Sequence, residues 1–342
     1  MKLVTHGQYG DNVGGRVYLL ENDNTYKMFK LLNREFTFDV DVSTLECGIN
    51  GALYFVEMEA DGGTGKYLTN KAGAKYGTGY CDAQCPHDIK FIWGEANTKD
   101  WYNDKGYYGT CCAEFDVWEA NKYANAYTAH PCKIPGDYRC EGVECGDDSQ
   151  RQNGICDKDG CDLNPFRNGN KNFYGPGSSF QIDTTRPFTV VTQFITADGT
   201  DNGDLSEIKR FYVQGGKKFE TPNTNVSGLG PYNSITNQNC ANQKKVFVEP
   251  PTFADRGGLK TMGEAMKRGM VLVMSMWDDH EAYMLWLDSD YPLDKDPNSP
   301  GVKRGPCPRD SGKPWDVEKQ YANSYVEYFN VKFGNIGTTI QF

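Results

Sequence analysis

Phe36-Thr37-Phe38-Asp39-Val40-Asp41-Val42 places an aromatic or branched side chain at every second position and a polar one between. Successive side chains of a strand point to opposite faces, so this run reads as a strand with one apolar and one polar face. Working outward, strand-like runs bounded by turn residues recur at 15–20, 35–42, 52–59, 112–118, 179–183, 189–195, 208–213, 270–276, 283–287 and 324–333. Helical periodicity is best over Gly258–Arg268, with weaker stretches at 26–31 and 278–283. The pattern predicts an all-β sandwich. Between the runs, 61–109, 133–177 and 289–315 read as long loops, and loops of that length are usually functional.

The 342 residues carry a net charge of −10, which argues against nucleic acid or an anionic membrane as partner and leaves a neutral polymer acceptable. No apolar run approaches a membrane span. Twelve cysteines beside four histidines point to a disulfide framework, and so to secretion into an oxidising compartment. Cys81-x3-Cys85 with Cys111-Cys112 is open to a zinc reading, but no histidine or further CxxC is suitably spaced. The first residues, Met1-Lys-Leu-Val-Thr-His-Gly, have no apolar core or cleavage site of a signal peptide, so the expectation is a fragment or an engineered start. No repeat, low-complexity linker or appended module is visible, and 1–342 reads as one domain.

The chemically loaded stretch is Glu114-Phe-Asp116-Val-Trp-Glu119, which packs three carboxylates into an otherwise apolar, β-prone segment. Crowding and partial burial both raise carboxyl pKa values, so at least one member is expected to keep its proton near neutral pH. A carboxyl pair with split pKa values is what glycosidic bond cleavage needs. In a regular strand Glu114 and Asp116 share a face and Glu119 does not; a bulge between Asp116 and Glu119 would insert one residue and turn Glu119 round. We predict that bulge. The alternative is a solvated strand edge or a structural carboxylate cluster, and the hexapeptide alone leaves both open.

Further motifs surround it: Tyr108-Gly-Thr-Cys-Cys-Ala-Glu-Phe-Asp-Val-Trp-Glu-Ala-Asn121, Thr128-Ala-His-Pro-Cys132, Tyr76-Gly-Thr-Gly-Tyr-Cys-Asp-Ala-Gln-Cys85, Asn50-Gly-Ala-Leu-Tyr-Phe55, Phe173-Tyr-Gly-Pro-Gly-Ser178 and Met284-Leu-Trp-Leu-Asp288. Together they resemble glycoside hydrolase family 7, and within it the reducing-end cellobiohydrolases. The resemblance implies a concanavalin A-like β-jelly-roll of two antiparallel sheets, and retaining hydrolysis of cellulose to cellobiose without cofactor or metal. It implies Glu114 as nucleophile, Glu119 as acid/base, Asp116 as auxiliary carboxylate beside the nucleophile, and His130 in support. Trp277 and Trp286 match sugar-stacking platforms on either side of the cleavage point. Arg151, Asp159, Asp162, Arg167, Tyr291 and Arg304 match product-side residues, and Tyr54, Tyr80, Asp82, Gln84 and Asn50 the cleft wall.

The family's pattern also implies the pairings Cys47–Cys307, Cys81–Cys112, Cys85–Cys111, Cys132–Cys156, Cys140–Cys145 and Cys161–Cys240. Two departures stand out. The family's N-terminal part is absent, which puts stability in doubt. Asp147 and Glu281 replace tyrosines on loops that meet above the active site, and the 97–108 segment is short, implying a more open tunnel. The loops at Cys140–Cys145 and 289–307 favour an exo-acting enzyme over an endoglucanase of the same family. A non-catalytic β-sandwich lectin is the reading from another class, and three crowded carboxylates argue against it. The expected partners are cellulose and cello-oligosaccharides, met by a secreted monomer.

Overall fold

A computed structural model describes residues 1–100 and 105–341. Two antiparallel sheets pack face to face. The first runs Cys161–Leu163, Asn125–His130, Glu114–Ala120, Ile49–Val56, Met270–Asp278 and Gly15–Tyr18, with Met28–Phe29 also on Met270–Asp278. The second runs Lys217–Glu220, Leu205–Gln214, Phe188–Thr196, Arg34–Asp41 and Glu327–Asn335, with Ser234–Ile235 on Leu205–Gln214.

The alternating stretch lies in the second sheet. Phe36, Phe38 and Val40 are fully buried against the first sheet, with Phe36 5.1 Å from Phe55 and Phe38 6.1 Å from Trp118 between ring centroids. One end of its polar face is covered as well, because Thr339 hydrogen-bonds Thr37 and Glu35, while Asp39 and Asp41 stay half-buried. A polar face therefore need not be a wet one; here each buried group has a partner.

Gly258–Arg268 is helical, with Leu259, Met262, Ala265 and Met266 buried. Other elements differ from expectation. Residues 283–287 do not form a strand: the Asp279 carboxylate accepts hydrogen bonds from the backbone of Glu281, Ala282 and Met284, turning the chain, and Leu285–Asp288 follows as a helical turn. The same turn displaces the helix expected at 278–283. Residues 26–31 also break the expectation of a helix, since Met28–Phe29 pairs with Met270–Val271 and sheet pairing outweighs the weak local periodicity. The helices Asn237–Val246 and Pro314–Gln320 escape a periodicity search. The first is almost wholly polar and is fixed instead by its Thr236 cap and the Cys161–Cys240 disulfide.

All six cysteine pairs form as the resemblance implied, with no cysteine free. No described helix is long and apolar enough to cross a membrane. At the sheet edges Val17, Leu19, Phe329, Val331 and Phe333 are exposed. The 97–108 segment can be followed only in part, because 101–104 lie outside the described residues.

Candidate active site

The predicted bulge is present. Against Asn125–His130 the pairs run Glu114 with His130, Asp116 with Thr128, then Glu119 with Ala126, so three steps on one strand face two on the other. Against Ile49–Val56 they run Asp116 with Tyr54, then Trp118 with Leu53. Val117 has no partner in either register, and the added residue restores Glu119 to the face of Glu114 and Asp116. The opposite face carries Phe115 and Trp118 into the core.

Glu114 Oε2 accepts from the backbone N–H of Ala83 at 3.0 Å. Glu119 Oε1 accepts from Asn50 Nδ2 at 3.0 Å, while Asn50 Oδ1 takes the N–H of Ala120. Asp116 Oδ2 faces His130 Nε2 at 3.0 Å, and His130 Nδ1 donates to the Asp157 carbonyl at 2.7 Å. Burial works against the His130 imidazolium, but the hydrogen bond and charge of Asp116 prevail and push its pKa up to about 9. A cation so held presents an N–H to both partners.

Burial, then Asp116, then Asp82 push the Glu114 carboxyl well above the usual range. Burial and Asp116 do the same to Glu119, opposed by His130 and Asn50. Burial also raises Asp82. Burial and like charge thus favour the protonated form of these carboxyls, as a desolvated site requires. Because the group titrates together, its apparent pKa values belong to the cluster.

Beside it, Tyr54 and Tyr80 share a hydrogen bond of 2.8 Å, and Tyr80 donates to Asp82 Oδ2 at 2.6 Å. Arg16 lies 3.5 Å over the Tyr80 ring and donates to Tyr18, a contact unread in the sequence because nothing marks one arginine in an edge strand. Gln84 donates to the Lys158 carbonyl, and Arg151 reaches Gln84 at 3.4 Å and Asp159 at 2.7 Å. Trp277 and Trp286 lie side by side, 6.1 Å between centroids and 29° between planes, with Trp286 Nε1 held by Asp279. The two rings are stacked on one another at the end of the first sheet.

Two expected sugar contacts are not available as such. Asn50 is fully buried, both ends of its amide engaged beneath Glu119, so it supports that carboxylate rather than lining a wall. Arg167 is only 4% exposed, its three guanidinium nitrogens given to Gly301, Asp162 and Glu249. It organises acidic neighbours instead; Glu249, missed in the sequence, also faces Arg304 at 3.6 Å. Burial opposes the Glu249 anion, but Arg167 leads the cations that hold its pKa down at about 2. Arg304 lies 5.8 Å over the Tyr291 ring. Asp147 pairs with His87 and Glu281 with Lys105, so the two residues replacing tyrosines have separate ionic partners.

A model described as glycosyl hydrolase family 7 matches residues 1–340. A GH7 family cellobiohydrolase from Daphnia pulex is 58% identical, covering 99% of this chain and 79% of that one, at a TM-score of 0.98. A cellobiohydrolase from Melanocarpus albomyces, solved with cellotetraose, is 45% identical over 100% of this chain and 79% of that one, at 0.92. The Humicola insolens endocellulase EGI is 39% identical over 99% and 77%, at 0.82. A match along nearly the whole chain, on a strand whose bulge turns three carboxylates to one face, places this chain in glycosyl hydrolase family 7.

Proposed function

We propose that the chain is one catalytic unit that hydrolyses β-1,4-glucosidic bonds of cellulose with retention, releasing cellobiose from reducing ends. The carrying observation is the bulge that sets Glu114, Asp116 and Glu119 on one face. In this reading Glu114 attacks the anomeric carbon; the backbone N–H of Ala83 favours its anion and Asp116 is its auxiliary neighbour. Glu119 protonates the leaving oxygen, then deprotonates the water that releases the glycosyl-enzyme. His130, bound to Asp116, balances the cluster's charge from outside the reacting atoms.

Trp277 and Trp286 offer the sugars an apolar platform, and Tyr54, Tyr80, Asp82 and Gln84 flank the carboxylates. Arg151, Asp159, Tyr291 and Arg304 hold the departing disaccharide, with Arg167 and Asp162 behind them. Successive glucose units face opposite ways, so a chain sliding past one carboxylate pair presents a correct bond at every second unit. The closer superposition on the two cellobiohydrolases than on the endocellulase, and the loops at Cys140–Cys145 and 289–307, support the exo reading. Six disulfides support an extracellular setting.

The test is incubation with crystalline cellulose and identification of soluble products. Cellobiose should dominate; mainly glucose, or a broad ladder of oligomers throughout, would refute the exo reading. Rapid viscosity loss on soluble substituted cellulose with few new reducing ends would favour the endoglucanase instead.

A further inference from the structure

The strand Met270–Asp278 ends at Trp277 and Asp278, and the chain then turns through Asp279 to His280. The Asp278 side chain is 4% exposed, and its Oδ2 has no hydrogen-bond partner among the described residues. That oxygen lies 3.9 Å from His280 Nε2. Glu318, on the helix Pro314–Gln320, brings Oε1 to 3.2 Å from the same nitrogen.

The three ligand atoms all lie within 4.8 Å of one another. A tetrahedral ion bonded at about 2.0–2.2 Å sets its ligands about 3.3–3.6 Å apart, so small side-chain shifts suffice. The other described groupings with ligand spacing contain cysteines already joined in disulfides, which do not ligate as thiolates.

We propose that Asp278, His280 and Glu318 bind one divalent cation of the zinc class, two carboxylate oxygens and one imidazole nitrogen serving as ligands. His280 is about two-thirds exposed, so water completes the coordination. An imidazole among only three protein ligands suits zinc better than calcium or magnesium, which prefer all-oxygen shells. The ion gives the buried Asp278 oxygen its missing partner and ties the 314–320 helix to the strand end that carries Trp277.

The competing account is a protonated His280 bridging two carboxylates without any metal. Titrating the metal-stripped, disulfide-intact chain with zinc chloride at neutral pH, by calorimetry and thermal unfolding, separates the two. One saturable equivalent and a raised melting temperature are expected. His280→Ala and Glu318→Gln should each weaken binding at least about tenfold, while His6→Ala and His87→Ala leave it unchanged. Absence of saturable binding, or binding that survives both His280→Ala and Glu318→Gln, would overturn the site. Magnesium chloride binding as tightly as zinc would overturn the zinc-class assignment. Glu318→Gln only neutralises a partly exposed helix side chain, so it reads the site even where His280→Ala unfolds the turn.

Discussion

Arg210 crosses the sandwich and donates through Nη2 to the backbone carbonyl of Val117, the residue that the bulge leaves without a ladder partner. Its guanidinium is fully buried, bonded to Thr192 and 4.0 Å over the Tyr127 ring, and no described carboxylate pairs with it. Burial of an uncompensated cation is costly and lowers its pKa. The site nevertheless uses it where regular pairing fails.

Arg210→Met should therefore let the strand regularise and turn Glu119 away from Glu114. Turnover of cellulose should fall by about 10²-fold or more, the loss expected for a missing general acid. Adding Arg210→Met to Glu119→Gln should cause little further loss, since both remove one contribution. Steady-state rates of the four proteins in the cycle measure this; fully additive losses would show that Arg210 acts elsewhere.

The leaving group separates the two glutamates. Glu119→Gln should still form a glycosyl-enzyme from an activated aryl cellobioside, whose leaving group needs little protonation, and then stall. Azide should restore turnover and give the β-configured azide, because a small anion attacks without a general base. Glu114→Gln should be inactive on both substrates with no covalent intermediate by mass spectrometry. The reverse pattern would exchange the roles.

Stability should decline on the alkaline side. His130 titrates at about 9 when folded against 6.5 when free, so its stabilisation is complete below about pH 6.5 and disappears as pH rises through 9. The carboxyls raised by burial, including Asp288 at about 7 against 3.8, act in the same direction, since the unfolded chain ionises first as pH rises. Glu249 acts oppositely: its stabilisation is present above about 4.5 and lost as pH falls towards 2. Melting temperature should thus be highest in mildly acidic solution, and His130→Asn should flatten its alkaline decline near pH 9.

The disulfides should contribute unequally. Cys47–Cys307 closes 260 residues and Cys140–Cys145 only 5. Chain entropy assigns about 5–6 kcal/mol to the first and about 2 kcal/mol to the second. Paired Cys→Ser replacement of the first should lower the melting temperature more, as calorimetry would record.

Local pattern suffices for the all-β class, most of the long strands though not Asn125–His130, the helix Gly258–Arg268 and the bulge. Each follows from parity or periodicity over a few neighbouring residues: Phe36, Phe38 and Val40 must share a face, and Glu119 can join Glu114 only across an added residue. The resemblance supplied the cysteine pairs, which local pattern cannot, since six pairs among twelve cysteines are a matter of distant approach. What lies across a face is set by long-range packing. Thr339 covers Thr37 on the polar side of the 36–42 run, Asn50 sits under Glu119, Arg167 is enclosed by Asp162 and Glu249, and Arg210 reaches Val117 from the other sheet. All but the Arg167–Asp162 pair join residues far apart in the chain, and a single side chain carries no local sign of the partner that folding will bring to it.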